Sequence, residues 1–102
     1  MNTGQLRKAM ALIRKNLNPE VTVSQIECFF IVAENEGIKE QEIAQQINIS
    51  KPTLRRDIAR LADQAKGGGI LAQAGHAVCD VKDDGSVFLT EKGKQLIKDI
   101  LK

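Results

Sequence analysis

From Leu6 onward the apolar residues Leu6, Met10, Ile13 and Leu17 recur at helical spacing, with Arg7, Lys8, Arg14 and Lys15 between them. That spacing predicts an amphipathic first helix with one buried face. Asn18-Pro19 ends it, because the residue before a proline is pushed out of helical backbone. Thr22 followed by Gln25 has the form of a capping box, and Gly37 supplies a terminator for a helix predicted over 23–36. Within it Ile26, Cys28, Phe29, Phe30, Ile31, Val32 and Ala33 are apolar nearly all round. A helix of that kind is covered on several sides, so it is the expected centre of the core.

A short helix is predicted over 40–47, where Ile43, Ala44 and Ile47 share a face. Asn48-Ile49-Ser50 interrupts it; Ser50 is a good N-cap, Pro52 is tolerated in a first turn, and Leu54, Ile58, Leu61 and Ala65 make the stripe of the next helix. Two helices joined by a tight turn result. Past Gly67-Gly68-Gly69 the pattern changes to short β-prone runs: Ile70-Leu71, Val78 to Val81, and Val87-Phe88-Leu89, with Asp84-Gly85 as a hairpin turn between the last two. Thr90 caps a last helix in which Leu96, Ile97, Ile100 and Leu101 form a stripe among Lys92, Lys94, Lys98 and Lys102. No repeat or linker divides the 102 residues, so a single domain over 1–102 is expected, mainly α with a small β-hairpin.

Composition removes several functions from consideration. There is one histidine and no tyrosine or tryptophan, and no glycine-rich phosphate motif follows a strand; a catalytic constellation is not expected. Cys28 and Cys79 lie far apart in apolar runs and read as reduced, buried thiols. With only His76 to join them they do not make a zinc site, and no cofactor is expected. The chain starts without the apolar run of a signal peptide, and no stretch approaches the roughly 18 apolar residues of a membrane span, so a cytoplasmic protein is the expectation. The formal charge of +2 is uninformative by itself. Its distribution is informative: Lys51, Arg55, Arg56, Arg60 and Lys66 face only Asp57 and Asp63 within one segment, whereas the stretch from Glu27 to Glu42 is strongly acidic.

The order helix, helix, short helix, turn, capped helix, β-hairpin, helix resembles the MarR-type winged helix-turn-helix regulators. The run from Ser50 to Leu61 is similar to that family's recognition helix, Glu42-Ile43-Ala44 to the helix before it, and Phe88-Leu89-Thr90-Glu91-Lys92-Gly93 to its strand-to-last-helix junction. The resemblance implies double-stranded DNA as partner, a homodimer through the terminal helices, and a pseudo-palindromic operator. It departs from the family at the wing. MarR-type wings carry an Asp-x-Arg element whose Arg enters the minor groove, whereas here the stretch reads Val81-Lys82-Asp83-Asp84-Gly85-Ser86. An acidic tip is repelled by phosphate, which leaves Lys82 or His76 as the wing contacts. The chain also ends soon after Leu101, short of the extra C-terminal helix with which larger members dimerise.

Physical chemistry gives the same helix its role without the family name. A helix in a major groove needs its apolar face anchored on the core and a cationic face toward phosphates and base edges. Leu54, Ile58 and Leu61 are the anchor; Ser50, Lys51, Pro52, Thr53, Arg55, Arg56 and Arg60 are the candidate DNA contacts, with Lys82 from the wing. Basic residues between stripe positions are also what any solvated helix face carries, and Lys51 and Thr53 fit either a cap region or a phosphate donor at the helix start. Arg55, on the side shared with Lys51 and Pro52, is expected at a base edge; Arg56, on the other flank and closer to the core, is expected on a phosphate or on an acid of the preceding helix. The terminal stripes either pack on each other within one subunit or face a symmetry mate. The resulting expectation is a transcriptional regulator, a repressor that occludes its operator. The alternatives are a winged-helix protein-interaction or replication/partition module, and a thiol or small-molecule sensor acting through Cys28 or a cleft at the dimer interface.

Overall fold

In the computed structural model residues 2–17, 20–62 and 77–102 are described. Helix α1 spans Thr3–Asn16, α2 Val23–Glu34, strand β1 Ile38–Lys39, α3 Glu40–Ile47, α4 Lys51–Leu61, β2 Cys79–Val81, β3 Ser86–Leu89 and α5 Glu91–Leu101. Mainly helical, with one small antiparallel sheet, this is the architecture expected from the sequence. Asn18-Pro19, Asp63, Ala65, Lys66, the three glycines, Ile70-Leu71 and His76 lie outside the described residues.

Each helix start has a local chemical cause. Thr22 accepts the Gln25 N–H at 3.2 Å while the Gln25 side chain accepts the Thr22 N–H at 3.3 Å, the predicted reciprocal cap. Asn2 and Gln5 do the same for α1, at 2.8 Å in each direction, a capping box that the apolar stripe from Leu6 gave no reason to look for. Helix α2 stops at Glu34 rather than at residue 36 because Gly37, at φ +91°, turns the chain into β1. Its N–H donates to the Val87 carbonyl at 2.8 Å. The β1 strand was not predicted; a run of two residues is too short to show alternation, and it exists only because β3 is there to pair with it. The strand order is β1-β3-β2, with Ile38 opposite Val87 and Asp80 opposite Phe88.

The core is built around α2. Phe29, Cys28 and Val32 are wholly inaccessible to solvent, and around them close Ile13 of α1, Ile43 of α3, Leu54 and Leu61 of α4, Val78 and Cys79 at β2, and Val87 of β3. Helix α2 packs against α3, α4 and β3, which is why its apolar residues run round the whole helix instead of forming a stripe. The first helix is less buried than its stripe suggested: Ala9, Ile13 and Leu17 are buried, but Leu6 and Met10 are exposed.

The junction before α5 is fixed by contacts that only tertiary structure supplies. Thr90 accepts the Gly93 N–H at 3.1 Å and its hydroxyl donates to the Ala77 carbonyl at 2.7 Å, while its own N–H donates to the Val78 carbonyl at 3.0 Å. Helix α5 is thereby pressed onto the entry to β2, and a Cβ on Gly93 would collide with the Val78 carbonyl oxygen, a backbone atom that cannot swing away. Gly93→Ala is expected to cost about 1–3 kcal/mol despite the higher helix propensity of alanine. Urea unfolding checks this; an unchanged or raised midpoint contradicts the close approach.

Burial pushes the thiols of Cys28 and Cys79 up from 9.0 to about 12, helped by Asp57 and Glu27 at the first and by the neighbouring Cys28 and Glu36 at the second. A thiol that ionises less readily folded than unfolded binds its proton more tightly in the native state, so stability falls as pH rises above about 9 and keeps falling toward 12. Alkylation of the native protein at neutral pH should be slow at both cysteines and should become fast in denaturant. Rapid native labelling of either would show that these sulfurs reach solvent.

Candidate nucleic-acid interface

Helices α3 and α4 pack on each other across a turn whose geometry is dictated by two residues. Asn48 adopts the left-handed conformation at φ 55° and closes α3, a position that Asn tolerates better than most side chains. Ser50 then opens α4: its oxygen accepts the Thr53 N–H at 3.3 Å and its hydroxyl donates to Thr53 Oγ1 at 2.9 Å. Pro52 occupies the first turn, where a missing N–H costs nothing. Ser50 and Thr53 thus hold the helix start together, and Lys51 and Pro52 stand exposed beside them.

The buried face of α4 has one member that the apolar stripe did not contain. Leu54, Ile58 and Leu61 are buried as expected, and so is Asp57, at 4% exposure, with its carboxylate accepting from Ser24 Oγ at 2.6 Å. Asp57 therefore points into α2 and takes no charge away from the outer face. At about 100° per residue, the four buried positions centre opposite Pro52, Arg56 and Ala59. This corrects the expectation for the two arginines: Arg56 does not sit closer to the core but projects outward, and Arg55 lies on the flank. Both are exposed, as is Arg60, and among the described residues no ion pair engages Lys51, Arg55, Arg56 or Arg60.

Arg55 and Lys51 line a cleft of about 450 Å³ together with Lys39, Glu40 and Glu42 at the start of α3 and Asp84 of the hairpin turn. The hairpin turn is strapped down at this point. Lys39 Nζ lies 2.9 Å from the Asp84 carboxylate and donates to the Asp84 carbonyl at 3.1 Å; the first N–H of α3, at Glu40, donates to the Gly85 carbonyl at 3.1 Å. Lys39, the N-cap residue of α3, makes no side-chain cap, so the hairpin backbone supplies one from a distance in sequence. The Asp84 carboxylate also accepts the Ser86 N–H at 3.0 Å, and Lys39 and Ser86 together hold its pKa well below the usual carboxylate range.

Lys82, the wing cation expected to reach DNA, is engaged within the hairpin. Its ammonium sits 2.8 Å from Asp80 and 6.0 Å from the centre of the Phe88 ring, and its pKa is raised by that hydrogen bond to Asp80. Asp83 remains exposed at the tip. Sequence reasoning missed the strap because its two ends, Lys39 and Asp84, are 45 positions apart and meet only when β1 joins β3.

At the opposite side α1 and α5 pack on each other within the subunit, one of the two arrangements left open by the sequence. The packing is incomplete. Leu6, Met10 and Leu101 remain 51%, 40% and 73% exposed along an apolar groove that also takes in Phe30, Ile97 and Ile100. Among the described residues no helix is long and apolar enough to cross a membrane.

The chain is similar in structure to a solved protein, the crystal structure of a MarR transcriptional regulator from Methanosarcina mazei Go1, with a TM-score of 0.62 over 97% of this chain. The fold is of the MarR type. Identity between the two sequences is 23%, and this chain spans 66% of the length of that regulator. No family model matches the sequence, and no curated protein does.

Asp84→Ala should release the hairpin turn without unfolding the core. Amide exchange at Glu40 and Ser86 is expected to accelerate while that of α2 stays at the rate of global opening. Unchanged exchange at both sites would mean that the backbone contacts alone hold the turn.

Proposed function

We propose that the protein is a double-stranded DNA-binding transcriptional regulator that reads a major groove with α4. The observation that carries this reading is the outer face of α4: Lys51, Arg55, Arg56 and Arg60 stand exposed and without ion-pair partners among the described residues, on a helix whose opposite face is locked into the core. Cations left unpaired on a rigid helix are available to phosphates and base edges. The hairpin plays a lesser part. With Lys82 paired to Asp80 and an acidic tip at Asp83, it buttresses α3 and adds no favourable phosphate contact.

The apolar groove of α1 and α5 supports a homodimer, since Leu6, Met10 and Leu101 would be covered by the same residues of a second copy. Two recognition helices about one DNA turn apart would then fit a pseudo-palindromic operator, and occupancy of a promoter would make the protein a repressor. No cofactor is required for that action.

Titration of a random duplex at several salt concentrations tests the reading, because phosphate neutralisation must weaken binding steeply as salt rises. Salt-insensitive or absent binding would sink it and favour the winged helix as a protein-contact module. Arg56→Ala is expected to cost about 1–3 kcal/mol on the best selected duplex and to relax preference at one base position. Arg55→Ala should weaken selected and scrambled duplexes alike and lower the salt dependence by about one ion per subunit. The opposite pattern would return base reading to the flank of Arg55. Leu101→Asp should give a monomer in sedimentation and lose the tethered gain of the second half-site; a protein already monomeric at micromolar concentration overturns the dimer.

A further inference from the structure

Asp57 is a charged residue in a place where an apolar one would be easier to bury. It lies at the edge of the buried face of α4, where Leu54 and Leu61 are its apolar neighbours on the same helix. Taking a carboxylate out of water is costly even when paired, and replacing both members of a buried polar pair by well-packed apolar groups is often neutral or stabilising. Stability is therefore a poor account of its presence. A directional hydrogen bond supplies something that an apolar stripe cannot. Apolar packing resists a turn of the helix through many weak, non-directional contacts, whereas an O–H···O bond weakens steeply with misalignment.

The partner of Asp57 is itself well fixed. Ser24 is the second residue of α2, and its hydroxyl donates to the Asp57 carboxylate at 2.6 Å. Its oxygen lies 3.2 Å from Thr22 Oγ1, the cap that accepts the Gln25 N–H. Because the single Ser24 proton is given to Asp57, Thr22 donates to Ser24, and a chain runs from the α2 cap through two hydroxyls to the carboxylate on α4. The first turn of α2 also presents the positive end of its dipole to that carboxylate.

We infer that Asp57 is a positioning residue for DNA reading: its hydrogen bond to Ser24 fixes the roll of α4 about its own axis, and with it the aim of Arg55 and Arg56. A roll of about 20° carries an atom 5–6 Å from a helix axis through about 2 Å, enough to break a bidentate contact to a base edge while phosphate contacts from flexible arginines survive. The inference rests on the DNA-binding reading for its consequence but not for its geometry.

Two measurements on Asp57→Leu, Asp57→Asn and Ser24→Ala test it separately. The first needs no DNA: residual dipolar couplings report the orientation of α4 relative to α2. Asp57→Leu and Ser24→Ala should turn the helix by about 10–20° and Asp57→Asn, whose amide oxygen still accepts from Ser24, should not. An unchanged orientation in both of the first two variants overturns the latch whether or not the protein binds DNA. The second is the ratio of affinities for the best selected and a scrambled duplex, measured beside urea stability. The double variant Ser24→Ala/Asp57→Leu, which removes both partners, is expected to be at least as stable as the wild type, to lose about ten-fold in that ratio and to keep its affinity for the scrambled duplex within about two-fold, while Asp57→Asn keeps the ratio. A less stable double variant, or one that loses both affinities together, makes Asp57 a structural anchor and overturns the inference. Failure of the wild type to bind any duplex strikes the DNA-binding reading and leaves the orientation result standing by itself.

Discussion

The contact between α2 and α4 is the constraint on which the rest of the structure depends. Helix α2 is covered on several sides, and the face it offers to α4 meets Leu54, Ile58 and Leu61, each nearly inaccessible to solvent. That burial decides which residues of α4 are left outside. Once four positions of a short helix are committed to the core, Pro52 and Arg56 project away from it with Arg55 and Arg60 on the two flanks, so the cationic surface follows from packing and needs no stabilising contacts of its own.

The polar interactions divide between those that hold the fold and those left free. Ser50, Thr53, Thr22, Ser24 and Thr90 each spend their hydroxyls on helix starts or on a contact between elements. Lys39 and Lys82 are likewise engaged, the first strapping the hairpin to α3 and the second held beside Asp80. These exposed pairs contribute little to stability, since surface ion pairs are worth about 0–1 kcal/mol. Lys39 and Lys82 are compensated, whereas among the described residues no ion pair engages the α4 cations. The hairpin supports α3.

The apolar groove between α1 and α5 stands in contrast to the core. Ile13 and Leu96 are buried where the two helices join the core, but Leu6, Met10 and Leu101 line a groove beside the last turns of α2 and stay exposed among the described residues. Both arrangements raised by the amphipathic stripes thus have a basis in one molecule: the inner half of each stripe closes the fold and the outer half remains exposed.

Periodicity and capping chemistry made most of the elements legible in the sequence. The capping residues Thr22, Ser50 and Thr90, the break at Asn48 and the turn at Asp84-Gly85 act through neighbours within a few residues, so their consequences could be read locally. The basic character of α4 was equally plain. Only the tertiary structure could reveal β1, which forms because β3 lies alongside, or the Lys39–Asp84 strap, whose ends are far apart in sequence. It also revealed the burial of Asp57. The apolar stripe of Leu54, Ile58 and Leu61 by itself sets Arg56 opposite the core, but Asp57 reads as a solvated charge until Ser24 is seen to donate to it, and its burial turns the centre of the inner face and brings Arg55 further round toward solvent. A sequence shows which residues prefer to leave water. Whether a polar one goes with them depends on a partner that another element must bring.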